Sequence, residues 1–72
     1  MELTTSKKIR IVMVHRDMSL TELAEATGQT PSNLSNKLKR NNFQEKELQA
    51  IAKALDCKFE SFFVMNDTGE TV

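Results

Sequence analysis

The sequence has little of what marks a secreted or membrane protein. It contains one cysteine, Cys57, and so can form no internal disulfide. No apolar run approaches the roughly 20 residues that a membrane-spanning helix requires. Residues 1–8 lack the apolar core of a secretory signal. We therefore expect a cytoplasmic protein with no membrane segment.

The chain is also short and has no features of an enzyme. Its 72 residues correspond to one domain. A domain of this size hides only about 60% of the surface that its unfolded chain exposes, which leaves little room for a catalytic cleft. No titratable pair lies at catalytic spacing, no cofactor motif is present, and His15 has no partner at metal-ligand spacing. We expect no enzymatic activity, no cofactor and no metal, and an exposed position for His15.

The net charge is zero, but the charges are unevenly distributed. Residues 29–42 contain Lys37, Lys39 and Arg40 and no acid, whereas all the charges in residues 17–28 are acidic. A neutral total can therefore conceal a basic face of the kind that DNA binding requires. The alternative interpretation is a solvated helix end whose cations lie near its C-terminus.

Apolar side chains at intervals of three and four residues predict helices throughout the chain. The predicted helices cover about Thr5–Arg16, 19–27, 31–40, 45–55 and, as a short fifth helix, Phe59–Phe63. No segment alternates with period two for long enough to predict a strand. Residues 62–65 could be extended but have no evident partner strand, and we expect the polar tail 66–72 to fray.

The second and third predicted helices have clear boundaries. Residues 19–22 form a capping box, Ser-Leu-Thr-Glu, at the start of helix 2. Gly28 supplies the left-handed conformation that ends this helix, and Thr30 and Pro31 are typical of the cap and first position of the next. Two short helices joined by a tight turn with glycine are the elements of a helix-turn-helix, which we place at about residues 19–40.

These residues resemble the Cro and lambda-repressor type of helix-turn-helix proteins. The resemblance lies in residues 19–28 and 30–35, and it extends to residues 48–57 and 59–63, which are similar to that family's fourth and fifth helices. It implies a single all-α domain over residues 1–72, a compact five-helix lambda-repressor-like fold. It also implies a small transcriptional regulator, a repressor, that binds double-stranded DNA as a homodimer with helix 3 in the major groove.

The outer face of helix 3 supplies most of the DNA contacts that this resemblance implies. Asparagine can form a bidentate pair with adenine, and lysine can donate to guanine. The candidate base-reading residues are Ser32, Asn33, Asn36 and Lys37. The candidate phosphate-contacting residues are Ser19, Thr21, Lys39, Arg40, Asn41 and Asn42. The alternatives are a solvated helix face for the first set and helix capping alone for Ser19 and Thr21.

The sequence departs from the family pattern at several positions. Leu20 stands where the family has a phosphate-contacting glutamine. Thr27 and Gln29 stand at positions that are usually apolar, which predicts a less tightly packed turn. Met13 and Leu38 replace an arginine–glutamate pair, and for them we predict an apolar contact that needs no charge desolvation. Lys37 also stands at a usually apolar position and is expected to point to solvent or to a phosphate.

The apolar residues after helix 4 suggest both core packing and an interface. We expect Cys57, Phe59 and Phe62 to pack in the core, and Phe63 or Met65 to lie at the homodimer interface, because exposed apolar patches often mark interfaces. A second interpretation of the whole chain is a protein–protein interaction module on the same helical scaffold, which the zero net charge and Leu20 favour. A basic surface centred on helix 3 would favour DNA instead.

Overall fold

A computed structural model describes residues 3–72, and in this range the chain forms four helices. They are α1 (Thr5–His15), α2 (Leu20–Ala26), α3 (Pro31–Arg40) and α4 (Glu45–Ala54). All four were predicted from the sequence, with bounds that agree to within one or two residues. Across residues 3–72, no helix combines the length and the apolar character that crossing a membrane would need.

Side-chain caps define where the first three helices begin. The Thr4 hydroxyl accepts from the Lys7 amide at the start of α1, and the Thr30 hydroxyl accepts from the Asn33 amide at the start of α3. Between them, Ser19 and Glu22 form the predicted capping box of α2. These hydroxyls and the Glu22 carboxylate bind amides that have no partner within their own helix. The local sequence therefore determines these helix starts.

The core lies where α2 packs against α3 and α4. Leu23, Ala24 and Leu34 are completely buried, and Ala24 lets the α2 and α3 backbones approach closely because its side chain is small. Met13 and Leu38 belong to the same buried cluster, in agreement with the apolar replacement of an ion pair. The other buried members of the cluster are Ile9, Ile51 and Leu55.

Two polar links attach α1 to the rest of the domain. At one end, the backbone N–H of Ser6 donates to Asn41 Oδ1 (2.9 Å), and the Ser6 hydroxyl donates to the Leu38 carbonyl (2.7 Å). At the other end, the Arg16 guanidinium donates to the carbonyls of Leu55 and Asp56, both at 2.9 Å. A cation at the C-terminus of α4 also interacts favourably with the helix dipole.

The predicted fifth helix is wrong. Residues 59–63 form no regular secondary structure, and Val64 forms an antiparallel bridge with Thr71. Phe63 and Val72 exchange both of their backbone hydrogen bonds, at 2.7 and 2.8 Å. Residues 66–72 therefore turn back and pair with residues 63–65, which differs from the frayed tail expected from the sequence. We call residues 63–72 the C-terminal ribbon.

The aromatic spacing was misleading because it does not produce a buried aromatic face in this segment. Phe59 is half-buried, but Phe62 is 60% exposed and Phe63 is 80% exposed, so the predicted core position of Phe62 is also wrong. A single turn of helix is costly to nucleate without tertiary packing. Pairing with residues 70–72, after a turn in which Gly69 has a positive φ, satisfies the backbone instead.

Cys57 is exposed, in contrast to the predicted packing role. Leu55 fills the last core position of this segment and is 2% exposed. Asp56 then adopts a left-handed conformation, with φ of 53°, which turns the chain away from α4. The side chain that follows this turn therefore lies at the surface.

Replacement of Leu34 by alanine should strongly destabilise the domain. Leu34 is 0% exposed at the α2–α3 contact, and loss of a buried leucine side chain costs about 2–5 kcal/mol. Val14→Ala is the matched control, because Val14 lies on α1 and is 80% exposed, and should change the free energy of unfolding by no more than about 0.5 kcal/mol. Urea unfolding measures both, and similar losses for the two variants would contradict the described core.

Candidate nucleic-acid interface

Helix α3 has one buried face and one polar face. Leu34 and Leu38, four residues apart, are turned into the core, while Ser32, Asn33 and Asn36 are exposed. Residues three and four apart lie on the same side of a helix, so Asn33 and Asn36 are neighbours, as are Ser32 and Asn36. Burial of the leucines therefore fixes which side chains α3 presents to solvent.

A shallow groove runs between α3 and the start of α4. It brings together four of the predicted DNA-contacting residues of α3 with two side chains from the α4 segment. Its lining consists of Asn33, Asn36, Lys37, Arg40, Asn42, Gln44 and Glu47. Part of the predicted base-reading set and part of the predicted phosphate-contacting set therefore line the same groove.

Lys37 does not point freely to solvent, which corrects the expectation from the sequence. Its Nζ forms an ion pair with Glu47 Oε2 on α4, and both side chains are about 30% exposed, at 30% and 28%. This partner lies ten residues away and on another helix, so no local pattern could have indicated it. The pair neutralises an acidic group that would otherwise repel phosphate from this surface.

Side-chain hydrogen bonds hold the turn between α2 and α3. The Thr27 hydroxyl donates to the Leu23 carbonyl at 2.8 Å, Gln29 Nε2 donates to Thr27 Oγ1 at 2.8 Å, and Asn33 Nδ2 donates to Gln29 Oε1 at 3.3 Å. Sequence reasoning took the polar residues Thr27 and Gln29 as a sign of looser packing. Their side chains instead connect α2 to the exposed face of α3.

The start of α2 already holds an anion. The Ser19 hydroxyl accepts from the Glu22 amide and the Ser19 amide donates to Glu22 Oε1, both at 3.1 Å. The hydrogen bond from the Ser19 amide, and after it the interaction of the Ser19 side chain with the carboxylate, lower the pKa of the Glu22 carboxyl. A DNA phosphate at this helix end would meet the Glu22 carboxylate, whereas Thr21, one residue before Glu22, has an exposed side chain.

The end of α3 carries exposed cations. Lys39 and Arg40 are exposed and take part in no ion pair among residues 3–72. Asn41, in the left-handed conformation with φ of 51°, ends the helix, and its side-chain oxygen is bound to α1. Its amide nitrogen and the exposed Asn42 are the groups left to donate to a phosphate.

Two short helices joined by a tight turn, the second with its apolar side buried and its polar side exposed, define a helix-turn-helix protein. Residues 8–68 match the model of the Cro/C1-type HTH DNA-binding domain. The match covers most of the chain, so the chain belongs to this family and is a DNA-binding domain. No curated protein and no solved structure gives a significant match.

Within the described residues 3–72, no three side chains of His, Cys, Asp or Glu are grouped closely enough to hold a metal ion. The sequence analysis missed two contacts with predicted base-reading residues, that of Gln29 with Asn33 and that of Glu47 with Lys37. It noted Gln29 only as a polar residue at a usually apolar position, and Glu47 carried no signal at all.

Replacement of Glu22 by glutamine should reduce the pH dependence of stability. Because folding lowers the Glu22 pKa, the carboxylate contributes stability above its unfolded pKa of about 4.3 and loses it as pH falls through the lower folded value. Glutamine keeps an acceptor for the Ser19 amide but does not titrate. Thermal unfolding between pH 2.5 and 6 measures this, and an unchanged acid-side slope in Glu22→Gln would contradict the assigned cause.

Proposed function

We propose that the protein is a sequence-specific transcriptional regulator, a repressor, that places α3 in the major groove of double-stranded DNA. The observation that supports this most directly is the exposure of Ser32, Asn33 and Asn36 in the first two turns of α3. In helix-turn-helix proteins, the N-terminal residues of the second helix contact base edges. Family membership independently supports DNA binding.

Asn33 and Asn36 are the main base-reading residues in this proposal. Each amide offers a donor and an acceptor, and this pair of groups is complementary to N7 and N6 of adenine. Ser32 can donate to or accept from either base of a pair. The Lys37 ammonium group has three N–H donors, so it can donate to guanine or to a phosphate while one N–H stays on Glu47 Oε2.

Phosphate contacts set the orientation of α3 in the groove and carry no sequence information themselves. Lys39 and Arg40 are the principal contacts, because both are exposed cations at the end of α3. The further contacts in this proposal are Ser19, Thr21, Asn41 and Asn42. Of these, Thr21 and Asn42 are the least engaged elsewhere, whereas Ser19 also caps α2 and Asn41 is bound to Ser6.

We propose that the protein binds its operator as a homodimer. A single small module buries little DNA surface, so specific affinity requires two of them. Phe63 and Met65 lie two apart on an extended segment, hence on the same face, and are 80% and 47% exposed. Contact between these faces would pair two copies so that their α3 helices enter successive major grooves, about 34 Å apart.

Asn36→Ala and Lys39→Ala should weaken DNA binding in different ways. Loss of the base contact should cost about 1–3 kcal/mol on the preferred sequence and relax the preference at one position, because Asn36 lies on the exposed face of α3. Loss of the Lys39 ammonium should weaken binding to every sequence and reduce the salt slope by about one. The measurement is duplex binding at several salt concentrations, after selection of bound sequences from a random pool.

Val14→Ser is a control for both variants, since Val14 is exposed on α1 and lies outside the proposed contacts. Equal losses on all sequences for Asn36→Ala would refute its role in base readout. Absence of any salt-dependent duplex binding by the unmodified protein would favour the protein-interaction module instead.

Phe63→Ser should weaken the homodimer and, with it, binding to a two-half-site operator. The expected result in sedimentation is a shift of the monomer–dimer equilibrium toward monomer, because the aromatic contact between copies is lost. Val14→Ser again serves as the control, with the same 80% exposure as Phe63 but on α1. A wild-type protein that stays monomeric at high concentration and on DNA would contradict the proposed interface.

A further inference from the structure

A chain of hydrogen bonds runs from the inside of α2 to the exposed face of α3. It begins at the carbonyl of the completely buried Leu23 and passes through the Thr27 hydroxyl and the Gln29 amide. It ends at the exposed amide of Asn33. The outermost member is one of the two asparagines that the proposed function assigns to base readout, so the orientation of its amide matters for sequence preference.

The chemistry of the chain gives it one direction. Two helix carbonyls, of Leu23 and Ala24, lie 2.8 and 3.2 Å from the Thr27 hydroxyl oxygen, and a carbonyl can only accept. The single hydroxyl proton must therefore lie toward these carbonyls, and the hydroxyl can only accept from Gln29. Gln29 in turn must direct its Nε2 toward Thr27 and its Oε1 toward Asn33.

The last link then determines how Asn33 is presented. Because Gln29 Oε1 is an acceptor, the nearest group of Asn33 must be its Nδ2, and the two atoms are 3.3 Å apart. One N–H of Asn33 is used in this bond, whereas the second N–H and Oδ1 remain available. These two groups are the donor and the acceptor that a bidentate contact with N7 and N6 of adenine requires.

We infer that Gln29 is a positioning residue that fixes the amide of Asn33 for recognition of adenine, with Thr27 fixing Gln29. The inference rests on the proposed function, because it assumes that Asn33 faces DNA bases. Gln29 itself contacts no base in this arrangement. Its effect comes from holding one orientation of the amide before binding, which lowers the cost of ordering that side chain in the complex.

The experiment compares matched variants on the same DNA. Sequences bound by the wild-type protein are selected from a random duplex pool, and Asn33→Ala identifies the position at which adenine preference depends on Asn33. Binding is then measured on four duplexes that differ only at that position. The variants are Gln29→Val, Thr27→Val, Thr27→Ser and the double variant Gln29→Val with Asn33→Ala. Thermal unfolding confirms that each variant is folded.

Gln29→Val should reduce the preference for adenine about three- to tenfold, part of what a bidentate pair provides, and leave the Kd for a random duplex unchanged. Thr27→Val, which is nearly isosteric, should act in the same direction, whereas Thr27→Ser keeps the hydroxyl and should retain the preference. In the Asn33→Ala background, Gln29→Val should have no further effect on base preference. If Gln29→Val does not fold, comparison of Thr27→Val with Thr27→Ser still tests the inference.

Three results would overturn the inference while sequence-specific binding stands. The first is that Gln29→Val keeps the full preference for adenine. The second is that Gln29→Val reduces base preference further when Asn33 is already alanine. The third is that Asn33→Ala changes the base preference at no position of the duplex. In the second case, Gln29 would contact the base itself. If the wild-type protein enriches no sequence from the pool, the proposed function fails, and the role of Gln29 fails with it.

Discussion

The contact of Leu23 and Ala24 with Leu34 is the interaction on which the rest of the structure depends. All three side chains are completely buried, and the small volume of Ala24 allows two short helices to approach. Neither α2, with seven residues, nor α3, with ten, is long enough to be stable alone in water. Their mutual packing therefore stabilises both helices and, in the same step, leaves the opposite side of α3 exposed. The polar face is a geometric consequence of the apolar one.

A chain with no net charge can bind a polyanion only if its acidic groups are kept from opposing the cations. The structure does this in one place near α3, where Glu47 is paired with Lys37. Glu22, by contrast, keeps its charge at the start of α2. Lys39 and Arg40 then remain at the end of α3, where they support the phosphate contacts that we propose. The local arrangement of charge, more than its sum, is what counts for association with DNA.

Short-range signals made the helix-turn-helix predictable. The capping box at Ser19, the positive φ at Gly28 and the Thr30-Pro31 start of α3 depend on residues within a few positions of each other. Two of the predictions that failed depended on contacts between residues seven to ten positions apart, beyond the spacing of a helix turn or a cap. No local pattern indicated that Lys37 would meet Glu47, or that the segment after α4 would pair with the chain end. Most of the candidate DNA contacts follow from position on α3, whose outward side is fixed once Leu34 and Leu38 are buried, whereas the bases they meet depend on the bound duplex.

The C-terminal ribbon has a physical property that connects it to the proposed dimer. An isolated two-stranded ribbon is only marginally stable in water, and its outer backbone groups lack partners. Here the ribbon also exposes Phe63, Val64, Met65 and Val72, a surface that water hydrates at a cost in free energy. Coverage of this surface by a second copy would remove the cost and order the ribbon together with the interface. None of these four side chains belongs to the buried core, so the proposed pairing of two copies could change without a change in the α3 residues that we propose face DNA.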